Sequence, residues 1–281
     1  MKKTHYMAIP LAAMLCFFAA GCQPHISLGT AADKQSDEKS NKPAQLEKKD
    51  THKTDVKNEA RAPKKIITQK PPKYEVSPVN WTIKPLDKKT NKKVALLTID
   101  DAPDKHALEM AKTLKALNVK AIFFVNGHFI DEEKEKQVLK EIHDMGFVIG
   151  NHTYHHLELK GLPAGKQKEE ILKLNEAVEK IIGEKPKFFR APFGINTDVS
   201  RKLVADEKMK LMNWTFGYDW NKEYQNKEAL TKIMKDTPYL ANGSIILMHD
   251  RKWTSEALKD IVLNLKAKGF EIADPHTIKT D

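Results

Sequence analysis

Five short polar clusters combine the residue types that can hold a metal ion and activate water for hydrolysis. Each cluster lies at or shortly after the end of an apolar run rich in β-branched or aromatic residues. The clusters are Asp100 with Asp101, His152 with His156, Arg190, Asp219, and His249. If the runs are parallel strands, all five clusters lie at one edge of the sheet, where α/β barrels place their catalytic groups. The shared position is a stronger indication than any single cluster.

The two adjacent acids, Asp100 and Asp101, can have different roles, because neighbouring side chains of a strand point to opposite sides. One carboxylate can bind a cation while the other accepts a proton as a general base. The alternative is a helix N-terminus, in which one acid caps the helix and the other lies in its first turn. A helical pattern does follow the pair, so the residues alone leave both interpretations open.

The histidine pair, His152 and His156, has the four-residue spacing that places two imidazoles on one face of a helical turn. Metal sites on helices use this spacing, whereas His155 would point elsewhere and have a structural role. With Asp101 as a third ligand, the set would leave coordination positions open for water and substrate, as catalytic sites do. Histidines of a polar surface loop are the alternative.

Two further polar residues, Arg190 and His249, follow apolar strands, where a charged group without a partner is costly to bury. Asp100 is a candidate partner for Arg190, and a hydrogen-bonded core histidine is the alternative for His249. Several aromatic residues are close to Asp219 in the sequence. Two interpretations are open: they stack on the rings of a sugar substrate, or they belong to the hydrophobic core. They are Trp214, Phe216, Tyr218 and Trp220.

The elements that position these clusters alternate between strand-like and helix-like patterns from Val94 to Ala273. Such alternation predicts parallel strands joined by helical crossovers. Since about seven units are too few for an eight-stranded barrel, we predict an α/β fold: a distorted, incomplete (β/α) barrel of about seven parallel strands. The active site is expected at the strand C-terminal ends. Gly183 is expected to end one helix, and Thr197 to cap the next.

The first quarter of the 281-residue chain has the composition of a targeting segment followed by a tether. Lysines, an apolar stretch and small residues predict a signal peptide over residues 1–21 that is too short for a membrane span. The small residues before Cys22 resemble a bacterial lipobox, so lipidation of Cys22 is expected; a signal peptide cleaved nearby, with Cys22 incidental, is the alternative. Residues 22–78 are polar and predict a disordered tether, which leaves 79–281 as the folded domain.

The cysteine content and the net charge bear on two classes, disulfide-stabilised domains and nucleic-acid-binding proteins. The only cysteines are Cys16 and Cys22, so the exported domain has no internal disulfide. The formal net charge of +10 is not accompanied by a nucleic-acid-binding motif, and we expect no nucleic-acid partner. A basic tether that lies near anionic lipid and wall polymer explains the positive net charge better. The protein is expected to be monomeric.

Taken in order, the five clusters resemble the five motifs of the polysaccharide deacetylase family, the NodB homology domain of carbohydrate esterase family 4. The resemblance covers about residues 92–273. The family's Thr-Phe-Asp-Asp-Gly-Pro is similar to residues 98–103, and its His-Ser/Thr-x-x-His to residues 152–156. Its Arg-Pro-Pro-Tyr-Gly resembles residues 190–194, its Asp-Trp residues 219–220, and its Leu-x-His residues 247–249.

The resemblance implies a metal-dependent de-N-acetylase. Asp101, His152 and His156 would bind the metal, which would be zinc or another divalent transition metal such as cobalt. Asp100 would be the general base that takes a proton from the attacking water, held in orientation by Arg190.

The resemblance also implies an acid and a substrate pocket. A backbone N–H, by analogy that of Phe193, would stabilise the oxyanion together with the metal. His249, kept charged and aligned by Asp219, would protonate the departing amine. Trp220 and Leu247 would enclose the acetyl methyl group.

The chain departs from the family motifs at four positions. Ile99 replaces Phe, which should affect packing only, and Ala102 replaces Gly, which adds strain if that backbone requires a positive φ. Ala191 replaces Pro, and Phe193 replaces Tyr. These differences are expected to affect rate and substrate choice rather than metal binding.

The expectation is therefore an extracytoplasmic lipoprotein, anchored in the cell membrane by lipid and facing the wall. It would deacetylate N-acetylated sugars of a wall polysaccharide, with peptidoglycan first and chitin-type oligomers next. One alternative is a carbohydrate-binding lipoprotein with weak or no turnover. A second is an O-acetyl esterase on the same fold.

Overall fold

The computed structural model of the protein describes residues 71–280. The expected signal peptide, Cys22 and the tether up to residue 70 lie outside the described residues. Across 71–280, no helix has the length and apolar character that crossing a membrane would require.

The described chain begins with a short antiparallel pair, β1 (Tyr74–Val76) and β2 (Ile83–Pro85). Tyr74 is buried, and its hydroxyl donates a hydrogen bond to the carbonyl of Asn91 at 2.9 Å. The start of the folded domain predicted at residue 79 is therefore too late. A single buried tyrosine within a polar stretch anchors this segment, and it produces no periodic pattern.

Seven strands then form one parallel sheet. They are β3 (Val94–Ala102), β4 (Ile122–Val125), β5 (Val148–Asn151), β6 (Phe188–Phe189), β7 (Lys210–Leu211), β8 (Ser244–His249) and β9 (Glu271–Ile272). The order is β7-β6-β5-β4-β3-β8, and β9 pairs with the first two residues of β3. Beyond the end of β7, Phe216 forms an isolated parallel bridge with Ile246 of β8. The predicted incomplete barrel of about seven parallel strands is confirmed.

Six α-helices connect the strands. They are α1 (Ala107–Ala116), α2 (Glu133–Asp144), α3 (Ala164–Ile182), α4 (Asp198–Asp206), α5 (Lys227–Asp236) and α6 (Lys252–Ala267). Gly183 ends α3 in the left-handed conformation, with φ of 82°. Thr197 caps α4, because its hydroxyl accepts a hydrogen bond from the backbone N–H of Ser200 at 3.0 Å. Both predictions from local sequence are confirmed.

Both faces of the sheet are buried, in two separate apolar layers. Leu97 and Ile99 of β3 pack with Met110 of α1 in the layer between sheet and helices. Leu96 of the same strand packs with Phe124 in the inner layer. Because side chains alternate along a strand, both layers draw on each strand, and the strands are therefore continuous apolar runs in the sequence.

The first described residues lie against the amino-terminal ends of the sheet strands. Pro72 lines a cavity of about 120 Å³ together with Val148 and Phe188, which begin β5 and β6. The backbone N–H of Lys73 donates to the carbonyl of Thr277 at 2.7 Å. The two ends of the described chain thus lie together, at the end of the barrel opposite to the carboxyl ends of the strands.

Arg190, which directly follows β6, is fully buried at the carboxyl ends of the strands. Its guanidinium lies over the ring of Phe124, at 4.3 Å from the ring centroid. Its Nε and Nη2 donate to the backbone carbonyls of Met212 and Asn213 at 3.2 and 3.0 Å. The side chain therefore ties the residues after β7 to the interior of the barrel.

The charge of Arg190 is paired with Asp100, which is also buried. Nη1 of Arg190 donates to Oδ1 of Asp100 at 2.6 Å and to the hydroxyl of Thr98 at 2.9 Å. Burial raises the pKa of Asp100, and the positive charge of Arg190 opposes that rise. Breaking a buried ion pair by removing one partner leaves an uncompensated charge, which is strongly destabilising.

We expect Arg190→Met to lower the free energy of unfolding by about 3–5 kcal/mol, because Asp100 loses its counter-charge. The double variant Asp100→Asn/Arg190→Met should recover part of that loss. Denaturant unfolding followed by circular dichroism measures both values. Arg201→Met, on the exposed side of α4, is the control and should change stability by no more than about 0.5 kcal/mol. Equal stability of Arg190→Met and Arg201→Met would contradict the expectation.

Candidate active site

The structure brings together all five polar clusters that the sequence singled out. Asp100 and Asp101 lie near the end of β3, and His249 ends β8. Asp100 and His249 are direct partners in the register of these two strands. His152 and Arg190 each follow the last residue of a strand, β5 and β6 respectively.

The backbone at Asp101 is in the left-handed region, with φ of 58°. Ala102 is not among the residues with positive φ, so the alanine that stands at a glycine position of the motif adds no strain of this kind. Aspartate tolerates this conformation better than most residues. Helix α1 begins only at Ala107, with His106 at its N-cap. The alternative that the acid pair caps a helix is therefore wrong.

Residues 152–156, the histidine loop, do not form the helical turn that their spacing suggested. Thr153 and His156 have φ of 69° and 55°, both in the left-handed region. Each such non-glycine conformation costs about 1–3 kcal/mol and persists only where the surroundings enforce it. The two imidazoles still meet, with ring centroids 4.9 Å apart for His152 and His156. The predicted pairing is present, but its geometric explanation was wrong.

Asp101, His152 and His156 offer three ligand atoms within 4.8 Å of one another. Oδ1 of Asp101 lies 3.5 Å from Nε2 of His156 and 3.9 Å from Nε2 of His152. That oxygen is buried and has no hydrogen-bond donor among the described residues. A buried carboxylate oxygen without a donor, facing two imidazoles, fits a divalent metal ion well.

His152 is held in the form that binds metals. Its Nδ1 lies 2.7 Å from the backbone carbonyl of Arg190, and since a carbonyl only accepts, Nδ1 carries the proton. Nε2 is then free to act as a ligand. Burial lowers the pKa of His152 to about 3, so the ring is neutral at physiological pH.

The sequence interpretation missed two residues that hold the Asp101 turn. Nη2 of Arg251 donates to Oδ2 of Asp101 at 2.8 Å, which leaves Oδ1 facing the histidines. The carboxylate of Asp250 accepts hydrogen bonds from the backbone N–H groups of Asp104 and His106 at 2.7 and 2.6 Å. Asp250 and Arg251 are the first and second residues after His249, and charged residues at the end of a buried strand were the available indication.

His249 and Asp219 form a closely bonded pair, as expected. Nδ1 of His249 lies 2.7 Å from Oδ1 of Asp219, and the backbone N–H of His249 donates to Oδ2 at 2.6 Å. The hydroxyl of Thr254 also donates to Oδ2, at 2.7 Å. Burial by itself would lower the pKa of His249, but the hydrogen bond and charge of Asp219 outweigh it and raise the pKa. The bond to Asp219 thereby favours the imidazolium over the neutral ring.

Three residues expected to contact a substrate differ in accessibility. Phe193 is 60% exposed and lies edge-on to His156, with ring centroids 5.0 Å apart. Trp220 is 44% exposed and lies edge-on to His249 at 5.5 Å. Leu247 is buried and, two residues before His249 on β8, shares its side of the strand. The two aromatic rings flank the site, and Leu247 lies beneath it.

Comparison with known proteins gives the same assignment as the motifs. A family model described as polysaccharide deacetylase matches residues 87–212. The uncharacterised protein YlxY of Bacillus subtilis is 32% identical over 165 residues, which are 58% of this chain and 50% of that protein. A peptidoglycan-N-acetylglucosamine deacetylase of Bacillus cereus is 30% identical over 194 residues, which are 66% of this chain and 70% of that protein. The matched part thus spans only half of YlxY.

Solved structures of carbohydrate esterase family 4 proteins have the same fold. A mutant described as a family 4 pseudoenzyme with restored enzymatic activity has a TM-score of 0.60 and 30% identity, covering 67% of this chain and 70% of that one. The wild-type pseudoenzyme, from Bacillus anthracis, has a TM-score of 0.60 and 28% identity, covering 67% of each chain. With its incomplete barrel and its five motif positions gathered at one opening, this chain belongs to the polysaccharide deacetylase family.

Proposed function

We propose that the protein removes N-acetyl groups from sugars of a cell-wall polysaccharide, peptidoglycan foremost, by metal-dependent hydrolysis. One observation carries the proposal: the buried, donor-free Oδ1 of Asp101 faces the imidazoles of His152 and His156, beside the buried Asp100–Arg190 pair. Membership of the family supports the reaction class, and the B. cereus relative named above supports the polymer.

In this proposal Asp101, His152 and His156 hold a divalent transition metal, zinc or a similar ion such as cobalt. Such an ion would lower the pKa of a bound water molecule and polarise the acetyl carbonyl. A donor set of two histidines and one carboxylate is typical of catalytic rather than structural metal sites.

Asp100 is the proposed general base. Arg190 holds its Oδ1, while Oδ2 lies 3.5 Å from Nε2 of His152 and so faces the proposed ligands. This oxygen can accept a proton from the attacking water. The backbone N–H of Phe193, in the loop after β6, is proposed to stabilise the oxyanion.

His249 is the proposed general acid. Asp219 keeps its imidazole charged and fixes Nδ1, which leaves Nε2 to deliver a proton to the departing amine nitrogen. Amines are poor leaving groups, so this proton is needed for amide cleavage. Trp220 and Leu247 are proposed to enclose the acetyl methyl group.

The location of the protein is also a proposal. A signal peptide over residues 1–21, lipidation at Cys22 and a tether to the folded domain would retain the enzyme on the outer side of the cell membrane. This arrangement would bring the site to the wall polymer.

A second candidate is a carbohydrate-binding protein without turnover. It is favoured by the similarity to the B. anthracis protein that is described as a pseudoenzyme. Acetate release separates the two candidates, because binding alone releases none.

We expect the full chain, loaded with zinc, to release acetate from purified peptidoglycan. Asp100→Asn, assayed under conditions where circular dichroism shows it folded, should retain zinc yet lose about 10²–10⁴-fold in turnover, because the base is removed while the three proposed ligands remain. Asp101→Asn should lose both zinc and turnover, because it removes a ligand. Acetate assay and elemental analysis on the same preparations measure the two effects.

Loss of metal from Asp100→Asn, with retention in Asp101→Asn, would mean that the two roles are reversed. A zinc-loaded wild type that binds peptidoglycan and releases no acetate would leave the binding protein as the function.

We expect His249→Ala to slow deacetylation of N-acetylglucosamine oligomers far more than hydrolysis of an activated acetate ester. A phenolate leaving group needs no proton, and Asp100 and the metal ligands remain in this variant. Both rates are measured on one metal-loaded preparation. A similar fold-loss on both substrates would remove His249 from the acid role.

A further inference from the structure

Glu170 is a buried carboxylate that the proposed mechanism does not use. It lies in the first half of α3, and its side chain is 7% exposed. Oε2 accepts a hydrogen bond from the backbone N–H of His155 at 2.7 Å, and Oε1 lies 2.7 Å from Nδ1 of the same residue. The backbone carbonyl of Glu170 accepts from the N–H of Tyr154 at 3.0 Å. One residue of α3 thus binds two consecutive residues of the histidine loop.

The first half of the histidine loop has other anchors. The N–H of His152 donates to the carbonyl of Val125 at 2.9 Å, which continues the sheet pattern. The N–H of Thr153 donates to Oδ1 of Asn151 at 2.9 Å. The next two N–H groups, those of Tyr154 and His155, both donate to Glu170, while the carbonyl of Tyr154 accepts from the N–H of His128 at 2.9 Å. The carboxylate of Glu170 therefore holds the backbone of the residue directly before His156.

His156 itself is held by contacts between side chains. Its Nε2 lies 3.5 Å from Oδ1 of Asp101, and its ring contacts those of His152 and Phe193. Phe193 is more than half exposed, so it covers His156 on one side only. The backbone of His156 is left-handed, a conformation that relaxes when its support is removed. The position of Nε2 consequently depends on how firmly His155 is fixed.

We infer that Glu170 is a positioning residue for the metal site: it fixes His155 by its N–H and its ring, and so keeps His156 directed toward Asp101. The inference rests on the proposed metal site but not on the proposed reaction. His155 then has a defined role, since it connects α3 to the ligand that follows it in the chain.

The test compares two adjacent glutamates of α3. Glu170→Ala removes the anchor, while Glu169→Ala removes an exposed carboxylate whose ion-pair partner is Lys166, at 2.6 Å. Zinc dissociation constants are measured on the full chain by chelator competition after metal removal. We expect Glu170→Ala to bind zinc about 10–100-fold more weakly, as loss of a supporting partner of a ligand commonly does. Glu169→Ala should match the wild type.

A positioning role has a second consequence in acetate release. Saturating zinc should restore most of the kcat of Glu170→Ala, because the ligands themselves remain, whereas general damage to the domain would not be repaired by metal. Glu170→Gln keeps the volume of the side chain and one acceptor oxygen. Its zinc affinity should lie between those of the wild type and Glu170→Ala, and it carries the test if Glu170→Ala does not fold.

Equal zinc affinity of the Glu170 and Glu169 variants would overturn the inference. If the wild type binds zinc and releases no acetate, the proposed activity fails, while the affinity difference still tests the positioning role. A wild type that binds no zinc at this site would overturn the metal centre and the positioning role together.

Discussion

Arg190 and Asp100 form an ion pair inside the barrel, with an N–O distance of 2.6 Å and both side chains buried, and the site is arranged around this pair. The guanidinium of Arg190 donates a hydrogen bond to Oδ1 of Asp100. The backbone carbonyl of Arg190 fixes the tautomer of His152 by accepting a hydrogen bond from its Nδ1. The same side chain binds the backbone after β7. Burying two charges is costly, so the pair contributes a fixed geometry more than it contributes stability.

A second arginine, Arg251, binds one oxygen of the neighbouring acid, Asp101, but this arginine is partly exposed. Arg251 holds one oxygen of Asp101, as Arg190 holds one oxygen of Asp100. Arg190 is fully buried, whereas the side chain of Arg251 is 36% exposed and lies at the surface of the site. The left-handed backbone of Asp101 turns its remaining oxygen toward His156. Two consecutive carboxylates thus differ in backbone conformation and in the burial of the arginine that each one binds.

Much of this arrangement could be predicted from the sequence because its causes are local. Apolar runs define the strands, and the polar clusters at their ends identify the opening of the barrel. Gly183 and Thr197 act on their own helix ends, so they were recognisable without tertiary information. The strand Tyr74–Val76 was missed because a short polar segment becomes ordered only through distant partners.

The conformation of the histidine loop could not be predicted for the same reason. A four-residue spacing is compatible with a helical turn, but Thr153 and His156 adopt left-handed φ values instead. The anchors that stabilise this conformation come from other elements, among them Glu170 on α3 and Asn126 after β4. Arg251 was missed likewise, since its contact with Asp101 joins residues 150 positions apart.

The described chain starts beside the first residues of β5 and β6, where Pro72 lies. This position is at the end of the barrel opposite to the candidate site. Residues 71–73, which lead into β1, therefore do not pass over the opening at the carboxyl ends of the strands. A long polymer could lie across that opening without meeting this segment.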